Sequence, residues 1–219
     1  MENLIASLWA ARFQIAQGLV TTAEVSAAPI ALGTILGLAV GIGLSYGPRP
    51  LRLLMHFYVD VVRGTPVLVL VLASFYVLAF LGLHLGAKAS GILALTVFCG
   101  AHLGEVTRGA LAAIPAGQVE AARSLGLGFG RILALVLVPQ AVRLALPVWV
   151  NTAVEIVKAS TLLSVIGVGE LLLKTQEVIG RTFLTLEFYL LAGLLYFAIN
   201  YSIQALGQRA ERRLAIPGL

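Results

Sequence analysis

Glu105 with Arg108, and Glu155 with Lys158, stand inside or at the ends of long apolar runs, where a charge must be paired, wetted or put to use. An isolated charge at the centre of a bilayer costs about 3 kcal/mol or more, so each is a functional candidate by default. Both pairs are three residues apart, which places the partners on one helical face and lets them neutralise each other. Glu155 has a second reading: together with Asn151, Lys158, Ser160 and Thr161 it lines a path and meets the cationic or zwitterionic end of a solute. A fifth charge, Glu120, opens the string Glu120-Ala121-Ala122-Arg123-Ser124-Leu125-Gly126. Its carboxylate can meet an arginine or a helix N-terminus, the two alanines leave room for a facing surface, and Gly126 permits a sharp turn. That is the chemistry of docking, not of catalysis.

Other chemistries lack their residues. His56, His84 and His102 are scattered and form no ligand set for a metal with the lone cysteine, Cys99, which also excludes an intrachain disulfide. No glycine loop followed by Lys-Ser/Thr is present to cradle a nucleotide phosphate, and no nucleophile has a base and an orienting partner. The formal charge of +5 does not mark a nucleic-acid binder, because the positive residues sit at the ends of apolar segments.

The elements that hold these residues are membrane spans. The chain has 219 residues, 59% hydrophobic and 11% charged, with a mean hydropathy of +0.98. A soluble domain is roughly half apolar and a quarter charged. Segments 18–45, 65–85, 90–113 and 183–207 each supply the roughly 20 apolar residues of a span. A fifth, 147–168, is interrupted by Asn151, Glu155, Lys158, Ser160 and Thr161 and ranks last by hydropathy. Residues up to 17 read as a short amphipathic leader without a cleavable signal peptide. Residues 51–63 read as an amphipathic helix lying at the membrane surface, and Thr65 and Pro66 as the cap and first turn of the second span. Gly33, Gly37 and Gly41 form a close-packing face, for a neighbour in the chain or a second subunit. Arg49, Arg52 and Arg63; Arg108, Arg123, Arg131 and Arg143; and Arg209, Arg212 and Arg213 are ten of the fifteen Lys and Arg. Five spans put all ten on one side, which the positive-inside rule makes cytoplasmic, with the N-terminus outside and the C-terminus inside.

Glu120-Ala121-Ala122, three residues, Gly126, nine residues, then Val136-Leu137-Val138-Pro139 resembles the cytoplasmic loop of bacterial ABC importer permeases, with Val136 and Val138 where that family has Ile and Leu. Arg63-Gly64-Thr65-Pro66 resembles the tetrad that opens the second span in its polar amino-acid branch, the histidine, glutamine and arginine type. Gly100, Ala101, Glu105, Arg108 and Gly109 are similar to the end of its third span. Asn151, Lys158, Leu162, Ser164 to Val168 and Glu170 match its polar fourth span in register, while Glu155 departs from it.

The resemblance implies an all-α integral membrane fold of the type I importer permease kind. It comprises five transmembrane helices in one domain, residues 1–219, with a coupling-helix loop over about 113–146. It implies docking of ATPase subunits at Glu120 to Gly126, a short helix from about Gly117 to Leu125, and motif roles for Arg63 to Pro66, Glu105, Arg108 and Pro139. The chain itself is expected to hold no cofactor and to be no enzyme, ATP and Mg²⁺ belonging to the partner ATPase. Further partners are an identical or sister permease, a periplasmic solute-binding protein and membrane lipid, but no nucleic acid, in the bacterial inner membrane. The alternative is an ion- or proton-coupled secondary transporter with Glu105 or Glu155 as the carrier, for which no internal repeat is visible.

Overall fold

Without water to satisfy them, backbone N–H and C=O groups inside a bilayer must pair within their own segment, and this chain is helical almost throughout. The computed structural model describes residues 2–214, with side chains from residue 6; residue 1 and residues 215–219 lie outside it. Its helices are α1 (Glu2–Tyr46), α2 (Arg49–Gly64), α3 (Val67–Phe80), α4 (Ala87–Ala112), α5 (Ala116–Ser124), α6 (Phe129–Ile166), α7 (Leu171–Thr182) and α8 (Thr185–Leu214).

The expected leader is not separate. α1 runs unbroken for 45 residues, about 67 Å at 1.5 Å per residue, more than twice the hydrocarbon thickness of about 30 Å. Its first turns are held by α7: Gln14 Nε2 donates to Glu177 Oε2 at 2.6 Å, and Lys174 Nζ lies 2.9 Å from the same oxygen. Gly18 meets Leu171, where an added Cβ would approach the Leu171 Cα to 2.9 Å.

The glycine face packs inside the chain. An added Cβ at Gly33, Gly37 or Gly41 would come within 2.6, 2.5 and 2.3 Å of Cys99, Leu103 and Thr107. The matching steps of four show α1 and α4 running parallel in contact, the small residues letting the two backbones approach. α4 is the most buried span and α8 the least, so α4 is the axis and α8 the rim.

The second span departs most from expectation. α2 packs on α1 and α4, with Met55 against Gly43 and the Tyr58 hydroxyl donating to the Val97 carbonyl at 2.7 Å, near the middle of α4. Val62 then joins the core around Leu95, Phe98 and Cys99. α2 and α3 meet at a bend of 109° at Gly64-Thr65-Pro66. Thr65 does not cap α3. It closes α2, its hydroxyl donating to the Val61 carbonyl at 2.7 Å, and Pro66 precedes the first turn of α3.

The fourth span also differs. α6 begins at Phe129, not at 147, and passes through Pro139 and Pro147. A π-helical turn at Leu133–Leu137 widens the helix just before Pro139, whose ring would clash with a carbonyl four residues back. Gln140 Nε2 donates to the Val136 carbonyl at 2.9 Å in the loosened stretch. With residues 129–146 included, this helix has the second-highest hydropathy of the four spans formed by a single helix.

Candidate functional site

Two places hold the residues that the sequence singles out, and they lie at different depths. The first is α5. Pro115 precedes its first turn, and Gly126, at φ +76°, ends it. The Gly126 N–H donates to the Arg123 carbonyl at 2.8 Å and the Leu127 N–H to the Ala122 carbonyl at 3.2 Å, the paired bonds of a Schellman cap. Ala122 is buried against Ile132, Leu137 and Ala141, with Val119 and Leu127 packed beside it. The two alanines therefore divide their work. Ala122 seats the helix on this chain's own core, and Ala121 faces outward with Glu120, Arg123 and Ser124. Leu125 is 80% exposed at the tip, and neither Glu120 nor Arg123 has an ion-pair partner among the described residues. Tyr46, at the end of α1, meets Phe129 edge-on at 5.1 Å, so the start of α6 is braced on α1.

The second place is the polar face of α6. Asn151, Glu155 and Lys158 are exposed in one stripe, flanked by exposed Leu144 and Val148 on one side and Val165 on the other. Their inward neighbours Val154, Ile156 and Val157 are buried. Glu155 and Lys158 do not form an ion pair. Ser160 does not belong to the stripe: it is fully buried and its hydroxyl donates to the Val157 carbonyl at 2.7 Å. Thr161 is partly exposed and donates to the Lys158 carbonyl at 2.7 Å. Ile156, the inward neighbour of Glu155, shares a core with Val62, Phe98 and Cys99. Exposed Gly64 and half-exposed Thr65 are at the bend between α2 and α3.

Glu105 and Arg108 form a two-pronged pair, with Nε to Oε2 at 3.0 Å and a terminal nitrogen to Oε1 at 2.5 Å. Pro139 sits on α6 between the two places.

Glu170 has a role that its position in the motif alone does not reveal. It is fully buried and caps α7, accepting from the Leu172 and Leu173 N–H groups at 2.9 and 2.8 Å and from the Tyr196 hydroxyl at 2.5 Å. Thr22 of α1 accepts the Leu171 N–H at 3.0 Å, which ties the same helix start to the first span. An acidic residue just before an apolar helical run was the available sign of a cap.

Residues 33–216 match the family described as binding-protein-dependent transport system inner membrane component. The chain is 35% identical over 216 residues to the probable glutamine ABC transporter permease protein GlnP of Bacillus subtilis, covering 97% of this chain and 95% of that one. It is 31% identical over 201 residues to the arginine transport system permease protein ArtQ of the same organism, covering 91% and 92%. The crystal structure of an amino acid ABC transporter with histidines superposes with a TM-score of 0.87 at 29% identity, covering 95% of this chain and 97% of that chain. The MetNI methionine ABC transporter, at 22% identity and TM-score 0.81, shares the fold.

Proposed function

This chain belongs to the family of inner-membrane components of binding-protein-dependent transport systems; from that premise we propose that it carries an amino acid through a path on the polar face of α6, driven by ATPase subunits docked on α5. The observation that supports this reading most is α5 itself, a capped helix seated by Ala122 on the transmembrane core with Glu120, Ala121 and Arg123 turned outward. A short helix anchored in this way transmits a push to α6 through Leu127 and Ile132.

Two copies of the chain, or this chain and a sister permease, face each other across the stripe of Asn151, Glu155 and Lys158. The stripe is exposed in the single chain and charged on a helix long and apolar enough to cross a membrane, and an apposed copy would keep it from lipid. ATP and Mg²⁺ are held by the ATPase subunits, and a periplasmic binding protein delivers the solute on the opposite side. The N-terminus lies outside and the C-terminus inside, which places α5 in the cytoplasm. ATP binding closes the ATPases, α5 moves, and the spans rock to an outward-facing state; hydrolysis resets them. Glu155 meets the cationic end of the solute.

Copurification from the native membrane is the test. An ATPase with a phosphate-binding loop is expected with the chain, and Glu120→Arg is expected to abolish both its recovery and uptake while membrane insertion persists. Recovery of the chain alone, with uptake following a proton or sodium gradient, would overturn the reading in favour of a secondary transporter. The relatives above are permeases of ABC-type systems and lend that alternative no support.

A further inference from the structure

We infer that the cleft between the end of α1, the start of α2 and the end of α4 binds the headgroup of an anionic phospholipid. The cleft encloses about 630 Å³, within the roughly 300–1,000 Å³ of ligand pockets. Arg49, Arg52 and His56 enter it from α2 and Arg108 from α4. No carboxylate lines the cleft, and both oxygens of Glu105, which stands beside it, are engaged by Arg108. Asp60 lies one turn further along α2, outside the cleft lining and without an ion-pair partner among the described residues. Arg49 and Arg52 likewise form no ion pair. Two unpaired guanidiniums with a third beside them match a phosphodiester, which guanidinium grips through paired N–H donors.

The cleft is not a site for a free anion alone, because α2 has two faces. Beside its arginines, Leu53, Leu54, Phe57 and Val61 are 73%, 64%, 67% and 46% exposed and touch no other helix closely enough to be covered. Leu53 lines the cleft as well. A headgroup between the arginines would lay its acyl chains along this stripe, so charge and apolar surface are satisfied by one molecule. α2 starts immediately after the Pro48 turn at the end of the first span, which is where headgroups lie. Which leaflet supplies the lipid rests on the orientation proposed above; that the cleft takes an anionic lipid does not.

The experiment is a lipid titration of the detergent-purified transporter, read as bound lipid by native mass spectrometry and as thermal shift. Phosphatidylglycerol and phosphatidylcholine mixed micelles and sodium phosphate are the three probes. Phosphatidylglycerol is expected to bind and stabilise, with neither of the others doing so. Arg49→Gln with Arg52→Gln is expected to weaken phosphatidylglycerol binding about tenfold or more. Arg49→Lys with Arg52→Lys should restore part of it, and Arg209→Gln with Arg212→Gln should leave it unchanged. Retained binding in the Arg49/Arg52 glutamine variant, or equal loss in the Arg209/Arg212 control, overturns the site. Stabilisation by sodium phosphate alone overturns the lipid as occupant. Lipid indifference with loss of the copurifying ATPase from the Arg49/Arg52 variant assigns the cleft to an acidic protein surface instead. A glutamine variant too unstable to purify is replaced by Arg52→Gln alone, read in the same way. Labelling of Leu125→Cys from one side of sealed vesicles reports the orientation independently of all these outcomes.

Discussion

Gly126 holds φ at +76°, a left-handed conformation that costs an L-residue with a Cβ roughly 1–2 kcal/mol. Nothing stands within 4 Å of the Cβ position, so the cost of Gly126→Ala is conformational and not steric. We expect it to loosen the α5 cap and lower the ATPase activity coupled to transport, with a drop of a few degrees or less in unfolding temperature. Gly128, two residues on, has φ −70° and equally open surroundings, so Gly128→Ala should leave both unchanged. At Glu170 three donors converge on one buried carboxylate, and Glu170→Ala leaves two helix N–H groups and a tyrosine hydroxyl without it. Loss of such a cap costs about 1–2 kcal/mol, read as a lower unfolding temperature in detergent. For Glu155→Gln the expected change is in which amino acids are carried, with assembly preserved. Unaltered uptake kinetics across cationic, neutral and acidic amino acids would return Glu155 to a structural role.

Helix pairs show where the chain is held tightly and where it is open. The α1–α4 contact leaves no room for a methyl at Gly37, where a Cβ would meet the Leu103 Cβ at 2.5 Å. Gly37→Ala is therefore expected to destabilise by about 1–3 kcal/mol through overpacking, whereas Gly193→Ala on the rim helix, with nothing within 4 Å, should be neutral or slightly favourable. The α1–α7 junction is pH-sensitive. The Lys174 ammonium, with Gln14 beside it, holds the Glu177 carboxyl below the usual carboxylate range. A depressed acid contributes stability above its unfolded value and loses it as pH falls through the folded one. Unfolding temperature should thus decline below the ordinary carboxylate range in the wild type and decline less in Glu177→Gln.

For the assembled transporter, the stripe on α6 supplies a direct test of pairing. Cys99 is 1% exposed, so an Asn151→Cys variant carries one accessible thiol. Oxidation in the membrane is expected to join two copies of a homodimer across the stripe. Cross-linking at the lipid-facing Leu194→Cys, which is 66% exposed on α8, should be absent. Efficient linking at 194 and none at 151 would move the interface to the rim.

Composition and local spacing already carried the helical membrane class, the short helix that ends at Gly126, the Glu105–Arg108 pair and the polar character of the fourth span. These are properties of a segment and its nearest neighbours: apolar runs, steps of three and four residues, a glycine where a helix stops. Tertiary packing decided the rest. Arg63 to Pro66 reads locally as a helix start, but the chain is already helical before it, so Thr65 closes α2, which Tyr58 and Val62 hold against α4. The fourth span reads as starting at 147, yet a π-helical turn before Pro139 keeps α6 continuous from Phe129 through both Pro139 and Pro147. Ser160 reads as a path residue because serine is polar, but it follows buried Ile156 and Val157 by four and three residues and shares their inward face, where its own backbone satisfies it. Whether Ala122 faces a partner or this chain's own core depends on Ile132 and Leu137, which are ten and fifteen residues away in sequence and in contact only after folding.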